Sequence, residues 1–206
     1  MSSVAAPFGL RPIGRLDSGS LEPFRQYPIA SGYAANIAVG DVVQLVDQGN
    51  EITIQRMTDG EDGDTAVLFV GIFMGCEYTD PTSGQLRQDS LWPTGTVASD
   101  AMAYVVADPN VLFEIQADGS ITNTKEVYGR NAPIVNTAPN ATFKQSRIAL
   151  DISAIGTTTT DMLKIVDYRG GTKGDEIGSG YPVFVCRFNN VAAFHQLATN
   201  AAPAAV

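Results

Sequence analysis

The chain has 206 residues, 44% hydrophobic and 17% charged, with 22 acidic against 13 basic side chains and a formal net charge of -9. This is the composition of a folded protein, one large β domain or two small ones, long enough to bury a core without covalent staples. The acidic balance argues against wrapping nucleic acid, which needs a clustered basic face. No run of about eighteen apolar residues is present to span a membrane, and the first eight residues have neither the basic nor the apolar region of a signal peptide.

Residues 1–27 hold Pro7, Gly9, Pro12, Gly14, Gly19 and Pro23. That density of breakers forbids a helix and interrupts a strand ladder. The same stretch carries Phe8, Leu10, Ile13, Leu16, Leu21 and Phe24, which a solvated tail has no use for. Its charge is +1 (Arg11, Arg15 and Arg25 against Asp17 and Glu22), leaving -10 for the rest. An extended N-terminal arm that lies along an acidic neighbour is expected, since arginine forks carboxylates in a bidentate way. Phe8, Leu10, Arg11, Ile13, Arg15, Leu16, Phe24 and Arg25 are its candidate contact residues.

From residue 28 to 197 the pattern changes to short strand, polar turn, short strand. Residues 39–46 are a β-branched apolar run and the first clear strand. Residues 51–57 alternate Ile52 and Ile54 with Thr53 and Gln55, the signature of a half-buried strand. The four residues between them make a hairpin loop. Residues 66–78 are the most apolar run, and Gly71 and Gly75 inside it predict a bend or bulge. Strands follow at 101–107 and 111–116. The Asp108-Pro-Asn110 corner between these two predicts a hairpin. Residues 120–160 form a weakly patterned excursion, with a helical turn near 124–128 and a strand at 146–152. Strands at 161–168 and 181–188 flank a glycine-rich loop at 170–180. Residues 189–197 read as a turn or short helix, and 198–206 as a flexible tail. With little helix anywhere, the expectation is an all-β fold, a compact β-barrel or β-sandwich body carrying the arm.

Residue types that carry chemistry are sparse. His195 is the only histidine, and a zinc site needs three or four nitrogen or sulfur ligands where the chain has one His and two Cys. Cys76 and Cys186 sit in apolar runs, where burial makes a thiol a poor nucleophile, and two cysteines make no disulfide framework. The acidic run at 59–64 lacks the ligand spacing of an EF-hand and reads as a surface turn. Gly170-Gly-Thr-Lys-Gly174 lacks the spacing of a phosphate loop. Trp92 with Tyr78 and Tyr104 offers an aromatic sugar platform, but core packing or a subunit interface is the favoured reading.

Several stretches together resemble the head decoration (cement) proteins of tailed bacteriophages, especially phages of cyanobacteria and marine bacteria. They are Ala6-Pro-Phe-Gly-Leu-Arg-Pro12, Ile37-Ala-Val-Gly-Asp-Val-Val43 and Val70-Gly-Ile-Phe-Met-Gly-Cys-Glu-Tyr78. Ala107-Asp-Pro-Asn-Val-Leu-Phe-Glu-Ile-Gln116 and Val185-Cys-Arg-Phe-Asn-Asn190 complete the set. The resemblance implies a β-tulip-like homotrimer on the outer surface of the virion, bound over junctions between major capsid protein subunits. It implies no catalytic residues and no cofactor or metal, and no nucleic-acid or membrane partner. Stiffness and simultaneous contact with several subunits suit such a part. A tail or fibre-associated virion protein and a carbohydrate-binding β-sandwich are the competing readings, with an enzyme behind them.

Overall fold

The computed structural model of the protein describes residues 4–17, 19, 24–48, 51–57, 69–121, 126–169 and 180–189. Among these the fold is all-β, without a helix, and no helix is long and apolar enough to cross a membrane. Two antiparallel sheets dominate. The first runs β1 (Arg11–Arg15), β10 (Val111–Gln116), β15 (Val183–Phe188), β14 (Leu163–Tyr168) and β11 (Asn131–Ala132) in that spatial order. The second runs β2 (Arg25–Pro28), β9 (Met102–Val106), β6 (Phe69–Thr79), β4 (Val42–Asp47) and β5 (Ile52–Arg56), with β7 (Leu86–Asp89) on the far half of β6. Two minor pairs, β3 (Ile37–Ala38) with β8 (Leu91–Trp92) and β12 (Ile134–Val135) with β13 (Ala149–Leu150), close the gaps. A single parallel bridge from Ile29 to Ile54 draws the edges of the second sheet together. One bridge curls the sheet but makes no closed barrel, so the body is a sandwich with one curled layer.

The curling creates two cores. One lies between the sheets and is filled by Phe113, Ile115, Leu163, Ile165, Phe184 and Phe188 from the first sheet and Val42, Phe69 and Ile72 from the second. Phe188 meets Phe69 at 4.9 Å and Phe113 at 5.1 Å between ring centroids. The other core lies inside the curl, with Val43, Ile54, Val70, Phe73, Cys76, Ala103 and Val105 capped by Ile37 and Trp92 of the β3–β8 pair. Strands β4 and β6 face both cores. Successive strand residues point to opposite faces, so Val42 and Ile72 enter one core while Val43 and Phe73 enter the other. This is why both strands read as nearly continuous apolar runs rather than as alternating ones.

The bend expected of β6 is present. Its ladder with β4 slips between Val43 and Gln44, and its ladder with β9 slips between Phe73 and Gly75. The second slip switches parity along β6: Phe73 before it, and Cys76 and Tyr78 after it, all face the inner core. Met74 and Glu77 therefore lie on the outer side. Gly71 sits where β6 crosses β9 most closely. A Cβ there would fall 2.0 Å from the carbonyl oxygen of Val106.

Three expectations need correction. The 101–107 and 111–116 strands exist as β9 and β10 but form no hairpin. Strand β9 pairs with β2 and β6, and β10 with β1 and β15. The Asp108-Pro-Asn110 corner, closed by the Asn110 N–H donating to Asp108 Oδ1 at 2.9 Å, carries the chain from one sheet to the other. The described part of residues 1–27 is extended as expected, but it does not stand off from the body. Strand β1 is the edge of the first sheet and β2 the edge of the second. Edge positions tolerate the prolines, and the ladder of β1 absorbs its breakers by slipping between Pro12 and Gly14. In the 146–152 stretch only Ala149–Leu150 is strand. Of the helical turn expected near 124–128, the described part begins at Glu126, which is in 3-10 conformation and is followed by a turn at 127–129. The 59–64 run, most of the 170–180 loop and the region after Asn189 lie outside the described residues, His195 included.

Because the Gly71 clash is with backbone, Gly71→Ala should lower unfolding free energy by about 3 kcal/mol, as overpacking at a point that cannot yield does. Gly14→Ala, with nothing within 4 Å of the new methyl, should stay within about 0.5 kcal/mol of the parent. Urea titration of both measures this, and equal effects would remove the argument for close approach at Gly71.

Candidate partner-binding surface

The N-terminal segment is fastened before it becomes β1. The Gly9 N–H donates to the Ile148 carbonyl at 3.2 Å, the Leu10 N–H to the Gly40 carbonyl at 3.0 Å, and the Ser146 N–H to the Val39 carbonyl at 3.0 Å. Three segments distant in sequence thus meet edge to edge. They approach so closely that a Cβ on Gly9 would lie 2.5 Å from both the Gly40 oxygen and the Ser146 Cβ.

Under this junction Asp41 is fully buried. Its Oδ2 accepts the Ala38 N–H at 2.9 Å, and the Arg56 Nε lies 3.7 Å away. Arg56 is itself held by its Nη2, which donates to Asn136 Oδ1 at 2.5 Å, while Asn136 Nδ2 donates to the Met57 carbonyl at 2.5 Å. Burial pushes the Asp41 carboxyl up to about 6, against the opposing pull of the Ala38 N–H, the Ser146 hydroxyl and the Arg56 charge. A carboxylate so deprived of water is costly in its charged form.

The eight candidate contact residues have different fates. Leu10, 1% exposed, is core and not contact surface. Phe8 is half-buried, with the Arg11 guanidinium 4.3 Å above its ring centre. Arg11 is exposed on β1 and lies 3.8 Å from Glu114, which Arg169 also holds. Arg15 is turned inward: its Nε and Nη2 donate to the two Asp17 oxygens, both at 2.9 Å, and its Nη1 lies 2.7 Å from Asp108 Oδ2. The guanidinium pulls the Asp17 carboxyl down to about 2, and Arg15 pins the end of β1 to the sheet-crossing corner rather than docking on a neighbour. Ile13, Leu16 and Phe24 are 44%, 50% and 53% exposed, and Arg25 is exposed beside Phe24. The Leu16 N–H donates to the Asn110 carbonyl at 2.9 Å, so Leu16 flanks the same corner.

Beside β1 a shallow apolar groove of about 220 Å³ is lined by Phe8, Leu10, Pro12, Val39, Met74 and Gln145, with Arg11 on its lining too. Further along the outer side of β6 stands Glu77, ringed by neutral donors. Gln26 Nε2 donates to its Oε1 at 3.2 Å, and Gln88 Nε2 and the Tyr104 hydroxyl donate to its Oε2 at 3.3 and 2.5 Å. Phe24 packs edge-on against Tyr104 at 6.5 Å. Sequence reasoning missed this row, though a signal was there. Glu77 is the one charge in the 66–78 run, and the bulge at Met74, just before Gly75, turns it outward. Also missed is Phe143, 76% exposed at the tip of a turn in which Asn140 Oδ1 accepts the Thr142 and Phe143 N–H groups at 3.0 and 3.2 Å.

Trp92 and Tyr78 are core, as the favoured reading has it, and not a surface platform. Trp92 is 0% and Tyr78 3% exposed, packed edge to face at 5.2 Å inside the curl. Only Tyr104 of that trio reaches the outside. Both cysteines are buried free thiols, as expected of them. Burial pushes Cys76 up to about 12 and raises Cys186 further.

Asp41 makes stability depend on pH in a defined direction. Between its ordinary 3.8 and about 6 the unfolded chain has lost a proton that the folded chain keeps. Its contribution is therefore full below the lower value and lost as pH rises through the upper one, by about 3 kcal/mol. Unfolding free energies of parent and Asp41→Asn, taken from about pH 4 to about pH 7, should show the parent losing ground by that amount. A difference that stays flat with pH would contradict the assignment. No protein-family model, curated protein or solved structure matches this chain.

Proposed function

We propose that the protein is a structural component of a phage virion, a decoration protein that binds as a homotrimer over junctions between major capsid protein subunits on the outer face of the shell. The observation that carries this reading is that the apolar side chains Ile13, Leu16 and Phe24 are exposed at the edge strands of the two sheets, accompanied by the exposed Arg11 and Arg25. An acidic chain that places these groups on rigid edges is suited to grip a protein surface, with aromatic and aliphatic anchors supplying affinity and arginines orientation. The five stretches resembling cement proteins are spread through both sheets, so the likeness belongs to the whole body. Three copies about one axis would let each edge reach a different subunit and add avidity without any single strong contact.

Removing residues 1–27 is a poor test, because it takes away β1, most of β2 and the buried Leu10. The combined Ile13→Ser, Leu16→Ser and Phe24→Ser variant keeps both ladders. Co-sedimentation with capsid shells stripped of this protein should show about a hundredfold weaker binding for that variant, with an unchanged circular dichroism spectrum. Undiminished binding would sink the proposal. Light scattering should give three times the 21.8 kDa chain mass, and a monomer at high concentration would remove the trimer from it.

A further inference from the structure

The outer face of the second sheet beyond the groove has a chemistry that gripping a protein does not require. Gln26 on β2, Tyr104 on β9, Glu77 on β6 and Gln88 on β7 come from four adjacent strands, with Gln26 opposite Tyr104 and Glu77 opposite Gln88 in register. With neighbouring strands about 4.8 Å apart, the row is about 14 Å long. Glu77 orders it, since Gln26, Gln88 and Tyr104 all donate to its two oxygens.

Hydrogen-bonding capacity is left over. The amides of Gln26 and Gln88 reach both Glu77 and the Tyr104 hydroxyl, which leaves the two glutamine carbonyl oxygens as acceptors. At one end Phe24 and Tyr104 meet at 62° and make an aromatic corner. A pyranose ring presents an apolar C–H face and a rim of hydroxyls that both donate and accept. Ring faces take the first, and a fixed array of amide and carboxylate groups takes the second. The side-chain partners of Glu77 are all neutral, and the chain carries a net charge of -9. The charge pattern therefore favours an uncharged ligand over a sialylated or sulfated one.

We propose that this ledge binds a neutral oligosaccharide of about three rings, one per strand spacing, stacked on Tyr104 and Phe24 and hydrogen-bonded by Gln26, Glu77 and Gln88. The site is open and flat, so single-site affinity is weak, and repetition over many copies supplies avidity.

The test is a titration of isotope-labelled full-length protein, followed by NMR, with four neutral trisaccharides: maltotriose, cellotriose, mannotriose and triacetylchitotriose. At least one should shift the Gln26, Gln88 and Tyr104 signals saturably with a dissociation constant near or below about 1 mM. Tyr104→Ala, and separately Gln26→Ala with Gln88→Ala, should weaken that binding about tenfold or more, and sialyllactose should bind less well than the neutral sugar. The glutamines are exposed, so that pair of substitutions tests the idea even if Tyr104→Ala fails to fold. No shift from any of the four sugars up to about 20 mM, or binding that survives the glutamine substitutions, overturns the proposal. Phe24 belongs to both surfaces, but the sugar test reads Tyr104 and the two glutamines while Ile13→Ser with Leu16→Ser reads the capsid edge alone, so either proposal can fail while the other stands.

Discussion

The burial of β4 and β6 on both faces is the constraint from which the rest of the architecture follows. A strand exposes two faces, and most strands here give one to water. Along Val42–Val43 and Phe69–Phe73 these two give neither. Val42 and Val43, or Ile72 and Phe73, are neighbours in sequence yet belong to different cores. The first sheet must then cover one side and the curl of the second sheet the other. The curl in turn demands bulges in β6, glycine where β6 presses on β9, and the β3–β8 pair with Trp92 to cap the inner core.

Two arginines, Arg15 and Arg56, have side chains only 14% and 12% exposed, and the half-exposed Arg169 reaches inward. Arg56 lies beside the buried Asp41, Arg15 holds Asp17 and Asp108 at the corner, and Arg169 reaches the nearly buried Glu114. Each joins segments far apart in sequence or at the end of a ladder, where hydrogen bonds of the sheet run out. A buried pair of this kind adds little net stability, but removing one partner leaves an uncompensated charge. The positive charge that faces a neighbour is carried by Arg11 and Arg25 on the sheet edges and by the exposed Arg130 and Arg147.

The all-β class, the β4–β5 hairpin and the bent β6 were legible in the sequence because each rests on local signals: alternation, a polar four-residue turn, and glycine inside an apolar run. The places where local reading failed are those decided by distant partners. The 108–110 corner has good turn chemistry, and nothing local says whether the strands on either side pair with each other or with others. Residues 11–15 read as broken because Pro12 and Gly14 interrupt them, yet the side facing β10 still makes its ladder. Leu10 and Leu16 look alike in sequence, and only the backbone bonds of Gly9 and Leu10 to Ile148 and Gly40 send the first inward. Of the candidate surface, the exposed apolar edge was therefore partly readable. Of the Glu77 row only Glu77 itself carries a signal, as the lone charge in an apolar run, because its partners come from three other strands.

The shared wall also fixes how the molecule comes apart. Were the two cores separated by their own sheets, one could melt while the other held, giving two transitions or a loosened half. Here the loss of either core strips water-excluding cover from β4 and β6, and that exposes the wall of the other. Opening of the two cores is thus a single cooperative event. The backbone amides of Val42–Asp47 and the first half of Phe69–Thr79 belong to the last group to exchange with solvent, released only when the whole body unfolds.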